Sequence, residues 1–115
     1  MEDPKALKFF QEVSTKTKEG RIQWEPTANE STFVSAVGGE FTLDISMSLE
    51  RDSWGNEEEK VALALRDRER ELLRVTEEVE GVKSFELRKL FEAAKRQALR
   101  VDEKLDRILT ELTRL

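Results

Sequence analysis

Phe41-Thr42-Leu43-Asp44-Ile45-Ser46-Met47-Ser48-Leu49 alternates large apolar with small polar side chains from end to end. Neighbouring side chains of an extended chain point to opposite faces. A strict period of two therefore puts Phe41, Leu43, Ile45, Met47 and Leu49 on a buried face and Thr42, Asp44, Ser46 and Ser48 on a wet one. Such a strand belongs to an antiparallel sheet covered on one side. A parallel sheet between two helical layers is excluded, because its strands are apolar on both faces.

The flanking sequence supplies the other strands. Gly38-Gly39 is a hairpin turn and not a phosphate loop, since the lysine and spacing of that loop are missing. Before it, residues 32–37 form a strand whose facing stays open, because Phe33, Val34, Ala36 and Val37 populate both sides. Residues 50–59 read as a polar loop marked by Asp52, Gly55 and Asn56, with Trp54 inside it. Residues 60–67 read as a strand with Val61, Leu63 and Leu65 inward and Ala62 and Ala64 outward, and residues 72–76 as another after an Arg68-Glu69 turn. Upstream, residues 21–25 read as a strand with Ile22 and Trp24 on one face, and residues 26–30 as a turn. Residues 77–83 read as an acidic connection containing Gly81.

Helices close both ends. Asp3-Pro4 is a cap followed by a first-turn proline, and Glu19-Gly20 a stop. Between them Leu7, Phe10, Val13 and Thr17 share one side, with Phe9 flanking. Ser84 is placed to cap the last helix, with Glu86 in its first turn. From there apolar residues fall at Leu87, Phe91, Ala94, Ala98, Val101, Leu105, Ile108, Leu112 and Leu115, a heptad seam. Unbroken, this helix would run about 45 Å at ~1.5 Å per residue, against ~17–20 Å for a typical strand. No more than about half of it can cross the sheet, so the rest must fold back or project. A break would fall at residues 100–102, where Asp102 can cap a second helix. Glycine and proline are absent there, and the heptad phase is unbroken. Glu92/Arg96 and Glu103/Arg107 support the two halves equally. A continuous or gently bent helix is expected. The expected fold is thus a two-layer α+β domain: N-terminal helix, five-stranded antiparallel meander, long C-terminal helix.

Composition narrows the chemistry. The 115 residues make one domain, with residues 101–115 as a helical extension. Charged residues are 39% of the chain and the net charge is −5, split into +2 over residues 84–115 and −7 over the remainder. An acidic body with a mildly basic tail argues against general nucleic-acid binding. The chain has no cysteine, histidine or tyrosine. This excludes disulfides, thiolate metal sites and cysteine nucleophiles, and removes the commonest general base. No apolar run approaches a membrane span of ~20 residues, and Glu2 and Asp3 do not resemble a signal peptide. A cytoplasmic protein without a cofactor, a metal or a membrane partner is expected.

Each remaining cluster has an ordinary reading. Glu57-Glu58-Glu59 and Glu77-Glu78-Glu80 suit a charged edge that resists edge pairing better than a cation site, whose oxygens must converge. Arg88, Lys89, Lys95, Arg96 and Arg100 read as solvated helix surface, diluted by Glu86 and Glu92 and with no exposed aromatic among them. Asp44 lacks a second titrating partner for acid–base work. Trp24 reads as core. Trp54 is either an interface anchor or a plug that folds down over the core.

Thr17-Lys18-Glu19-Gly20-Arg21-Ile22-Gln23-Trp24 resembles the opening of a broad group of small uncharacterised bacterial proteins, in which a helix ends at glycine and a strand follows with tryptophan. The segment from Leu87-Arg88-Lys89-Leu90-Phe91 through Ala98, then Val101-Asp102-Glu103-Lys104-Leu105, is similar to their last segment. The resemblance covers the ends well and the middle loosely. It implies no activity and transfers no catalytic or binding residue. Members tend toward glycine near the position of Arg100, which would favour a break there.

The expected function is a non-enzymatic protein-interaction module, a homodimer or a domain that docks a protein partner. Its interface residues are Val101, Leu105, Ile108, Leu109, Leu112 and Leu115, with Trp54. The alternative is a small-ligand or nucleic-acid binder using the exposed sheet face of Thr42, Asp44, Ser46 and Ser48.

Overall fold

The computed structural model describes residues 2–115. Its elements are α1 (Pro4–Lys18), β1 (Glu25–Pro26), β2 (Thr32–Val37), β3 (Phe41–Arg51), β4 (Glu57–Arg66), β5 (Glu71–Val75), α2 (Ser84–Ala98) and α3 (Val101–Thr113). The five strands lie in sequence order, each antiparallel to the next. The α+β meander is therefore as the alternation in β3 requires. Ile45 sits in the centre of the inner face, level with Phe33 on β2 and Leu63 on β4, with Val75 opposite Leu63 on β5. All four are sealed from water.

Two helices cover that face. α1 contributes Ala6, Phe10 and Val13. α2 contributes Leu87, Leu90, Phe91 and Ala94, at the three- and four-residue spacing that keeps side chains on one stripe. The Phe91 and Phe33 rings meet at 5.7 Å with a 56° tilt, which fixes α2 on β2. Asp3 caps α1 by accepting from the Ala6 amide at 3.0 Å, and Pro4 is its first residue. α2 begins one residue earlier than a serine cap would allow. Lys83 holds the cap position with no side-chain bond, and Ser84 is already helical.

Several sequence expectations need correction. Residues 21–25 are not a strand; β1 is only Glu25–Pro26. The reason is Trp24, whose backbone amide donates to the Gln97 Oε1 of α2 at 3.1 Å rather than to a neighbouring strand. Its indole is core as expected, 3% exposed, with Nε1 donating to Thr17 Oγ1 at 3.1 Å. Residues 50–59 are mostly strand, because β3 and β4 stay paired from Thr42↔Arg66 out to Arg51↔Glu57. The acidic connection carries two core residues, Val79 and Val82, 2% and 4% exposed. Gly81 between them has φ +90°, and a Cβ there would lie 2.9 Å from Leu7 Cδ2.

The two outer hairpins are closed by aspartates. Asp52 Oδ1 accepts from the amides of Trp54 and Asn56, each at 2.9 Å, and Asp67 Oδ1 from those of Glu69 and Arg70, each at 2.8 Å. The Asn56 amide, before the others, holds the Asp52 carboxyl below its ordinary range, and the Arg70 amide does so for Asp67.

Three outcomes follow from this packing. Gly81→Ala should cost about 1–3 kcal/mol in urea unfolding, from backbone strain and the push on Leu7. Ser14→Ala should stabilise by about 1 kcal/mol in the same assay, since the Ser14 hydroxyl is buried without a hydrogen-bond partner and alanine is the better helix former. Folded pKa values below the unfolded ones mean stability that is present above the ordinary aspartate pKa of about 3.9 and lost as pH falls through the lower folded values. The acid limb of wild-type stability should therefore be steeper than that of Asp52→Asn/Asp67→Asn, whose amides do not titrate. Equal limbs would contradict this account of the turns.

Candidate functional site

α2 ends where the sheet ends. Leu99 caps it, and Arg100 then turns the chain with φ 54° and ψ 46°, the left-handed conformation. Among the described residues Arg100 is the one non-glycine with positive φ. The expectation of a continuous or gently bent helix is thus overturned: the long seam is two helices, α2 and α3. The physical reason is local. The left-handed residue lets the Arg100 amide reach the Gln97 carbonyl at 3.0 Å, and the Arg100 carbonyl accepts the first α3 bond, from the Lys104 amide at 3.1 Å. Arg96 grips Asp102 Oδ1 across the corner with Nε at 3.0 Å and Nη2 at 2.6 Å. Asp102 and Glu103 lie in the first turn of α3, where carboxylates favour the helix dipole.

Beyond the corner α3 carries a stripe that its own fold does not bury. No residue of α3 is buried. Val101 at its root is half-buried, while Leu105, Ile108, Leu109 and Leu112 are 42%, 49%, 57% and 54% exposed. Leu115, just past the helix, is exposed as well. At 100° per residue Val101, Leu105, Ile108 and Leu112 fall on one line. Leu109 widens that line on one flank, and Lys104 and Glu111 edge it on the other. Phe91 and Ala94, in the same heptad phase, are spent on the sheet. One sequence pattern therefore serves two surfaces, a covered one on α2 and an open one on α3.

Trp54 does not fold down. It is 86% exposed at the tip of the β3–β4 hairpin, which extends beyond the parts of β3 and β4 that pair with β2 and β5. Leu49, 65% exposed, lies on the same arm. Trp54 and the α3 stripe stand on separate elements, the tip of the β3–β4 hairpin and the last helix.

The outer sheet face is less open than the alternation of β3 predicts. Asp44 is 7% exposed, because Arg66 on β4 reaches over to it, Nε to Oδ2 at 2.5 Å. Arg66 Nη2 also donates to Glu71 at 3.2 Å, and Glu71 takes a second donor from Arg74 Nη2 at 2.7 Å. Ala64, level with Asp44 on β3 and Arg74 on β5, is sealed from water between members of this chain of alternating charge. The Arg74 guanidinium holds the Glu71 carboxyl below its usual range. The acidic and basic clusters pair too: Arg88 with Glu59 at 2.7 Å, Lys60 with Glu77 at 2.5 Å and Arg51 with Glu57 at 3.6 Å. No group of acidic residues able to hold a metal ion occurs among the described residues. An exposed aromatic does stand in the basic region, contrary to the sequence reading: Phe85, 55% exposed, with Lys83 and Lys89 ammonium groups 5.9 and 5.6 Å from its ring centre. Sequence periodicity misses it because it lies opposite the core stripe of α2.

No helix of the described residues is long and apolar enough to cross a membrane. The chain matches no known protein family, no curated protein and no solved structure.

Arg100→Gly should stabilise the protein by about 0.5–1 kcal/mol, since glycine adopts the left-handed corner without the Cβ penalty, offset by its greater freedom when unfolded. Arg100→Ala, which keeps that penalty, should not. Thermal unfolding of the two variants checks the geometry of the corner.

Proposed function

We propose that the chain is a non-enzymatic protein-interaction module that docks through α3. The observation that carries this reading is an amphipathic helix whose apolar stripe is about half exposed and contributes no residue to the core of its own fold. An isolated helix shorter than ~12–15 residues is marginal in water, because most helical stability in proteins comes from packing an apolar face. α3 has 13 residues. It gains most of that stability only when something covers Leu105, Ile108 and Leu112. Trp54 offers a second anchor, of the residue type most enriched at interface hot spots. The paired outer face, with Asp44 already satisfied by Arg66, favours docking over ligand binding there. The absence of cysteine suits work in the reducing cytoplasm.

Ile108→Glu/Leu112→Glu tests the reading. A stripe that is open at home should tolerate the change within about 0.5 kcal/mol of unfolding stability, as surface substitutions do, while association is lost in gel filtration with light scattering. A stability loss of about 2–5 kcal/mol, as for apolar groups removed from a core, would place the stripe inside its own fold and end the proposal.

A further inference from the structure

Resting on that reading, we infer that the occupant of the α3 stripe is the α3 of a second copy, lying antiparallel to the first. The flanks of the stripe decide it. One flank carries Lys104 and Glu111, the other Asp102 and Leu109. When two such helices pair antiparallel, like flanks face each other. With Leu105 opposite the second copy's Ile108, and Val101 opposite its Leu112, the core layers fill. Lys104 then stands beside the second copy's Glu111, and by two-fold symmetry the contact occurs twice. In the parallel arrangement unlike flanks meet, and Lys104 faces Leu109 with no charge to answer it. Sliding the antiparallel pair by one heptad sets Glu111 against Glu111. A single orientation and register thus join apolar layers to complementary charge.

The remaining charges are compatible. Asp102 is held by Arg96 of its own chain, and Glu111 lies 3.4 Å from Arg114, both well exposed, so Glu111 can take a second cation. The contact is short, only α3 on α3, and falls toward the small end of specific interfaces, so the dimer is weak and sensitive to concentration and salt.

Charge exchange tests orientation directly. Wild-type mass by light scattering should rise from monomer to dimer with concentration. Lys104→Glu and Glu111→Lys should each weaken self-association roughly tenfold, by turning both symmetric attractions into repulsions. An equimolar mixture of the two variants should recover wild-type association, since each then faces an opposite charge at both contacts; the double exchange K104E/E111K should recover it alone. Circular dichroism of each monomer guards against a lost helix. If the wild type associates but the mixture is no stronger than either variant, the antiparallel register is wrong and docking through α3 stands. If the wild type stays monomeric at every concentration, the second copy is excluded as the occupant. Failure of α3 as a docking surface reads differently, as a loss of unfolding stability in Ile108→Glu/Leu112→Glu.

Discussion

The inner face of β3 and β4 has to be kept from water, and the rest of the molecule is arranged around the helix that does it. Ile45 and Leu63 face each other across the centre of the sheet with no exposed surface. A side chain of that size stabilises the fold by about 1.5–3 kcal/mol when fully buried. α2 supplies the lid through Leu87, Leu90, Phe91 and Ala94, and α1 completes it. Fifteen residues of helix span about 22 Å, and the last turn already meets the edge of the sheet, where Gln97 Oε1 accepts from the Trp24 amide beside β1. Once that length is used, the apolar pattern has no more sheet to lie on. Arg100 adopts a left-handed turn at this point, and the helix after it leaves its stripe unpaired.

This division explains how one heptad pattern is covered along α2 and left open along α3. The side chain of Gln97, at the end of α2, donates through Nε2 to Gln23 Oε1 at 3.1 Å and accepts through Oε1 from the Trp24 amide, so the lid is locked to the segment beneath it. Past Leu99, the one side-chain tie back to α2 among the described residues is the Arg96–Asp102 grip at the corner. That grip lies on the surface, 58% and 77% exposed at the two side chains, and orients α3 without burying it. A surface that is oriented yet uncovered is what a docking helix requires.

Legibility of the structure in the sequence followed periodicity. Phe41 to Leu49 disclosed the antiparallel sheet because an extended chain has a period that side chains report, and Leu87, Phe91 and Ala94 disclosed the lid for the same reason. Val79 and Val82 stayed hidden in an acidic connection because an irregular segment has no period to read. Asp44 looked solvent-facing because alternation reveals only the face of a side chain; the partner that buries it, Arg66, arrives from another strand 22 residues on. The break at Arg100 was only half legible: Asp102 marked the place as a possible cap and the resemblance to glycine-bearing proteins agreed, but a left-handed arginine lacks the glycine that usually announces a break, and the unbroken heptad phase argued for continuity. The stripe of α3 was legible residue by residue, whereas its exposure depended on where the sheet ran out.

The central claim is that α3 is structurally idle until a second copy covers it. Hydrogen exchange of backbone amides, followed as protein concentration rises, tests it most directly. Amides of α2, β3 and β4 should be strongly protected at every concentration, while those from Leu105 to Leu112 should exchange freely in dilute solution and become protected as copies pair. Protection of α3 already at high dilution would contradict the claim by showing that the helix is packed within its own chain, and free exchange of α3 at every concentration would contradict it by showing that no second copy covers it.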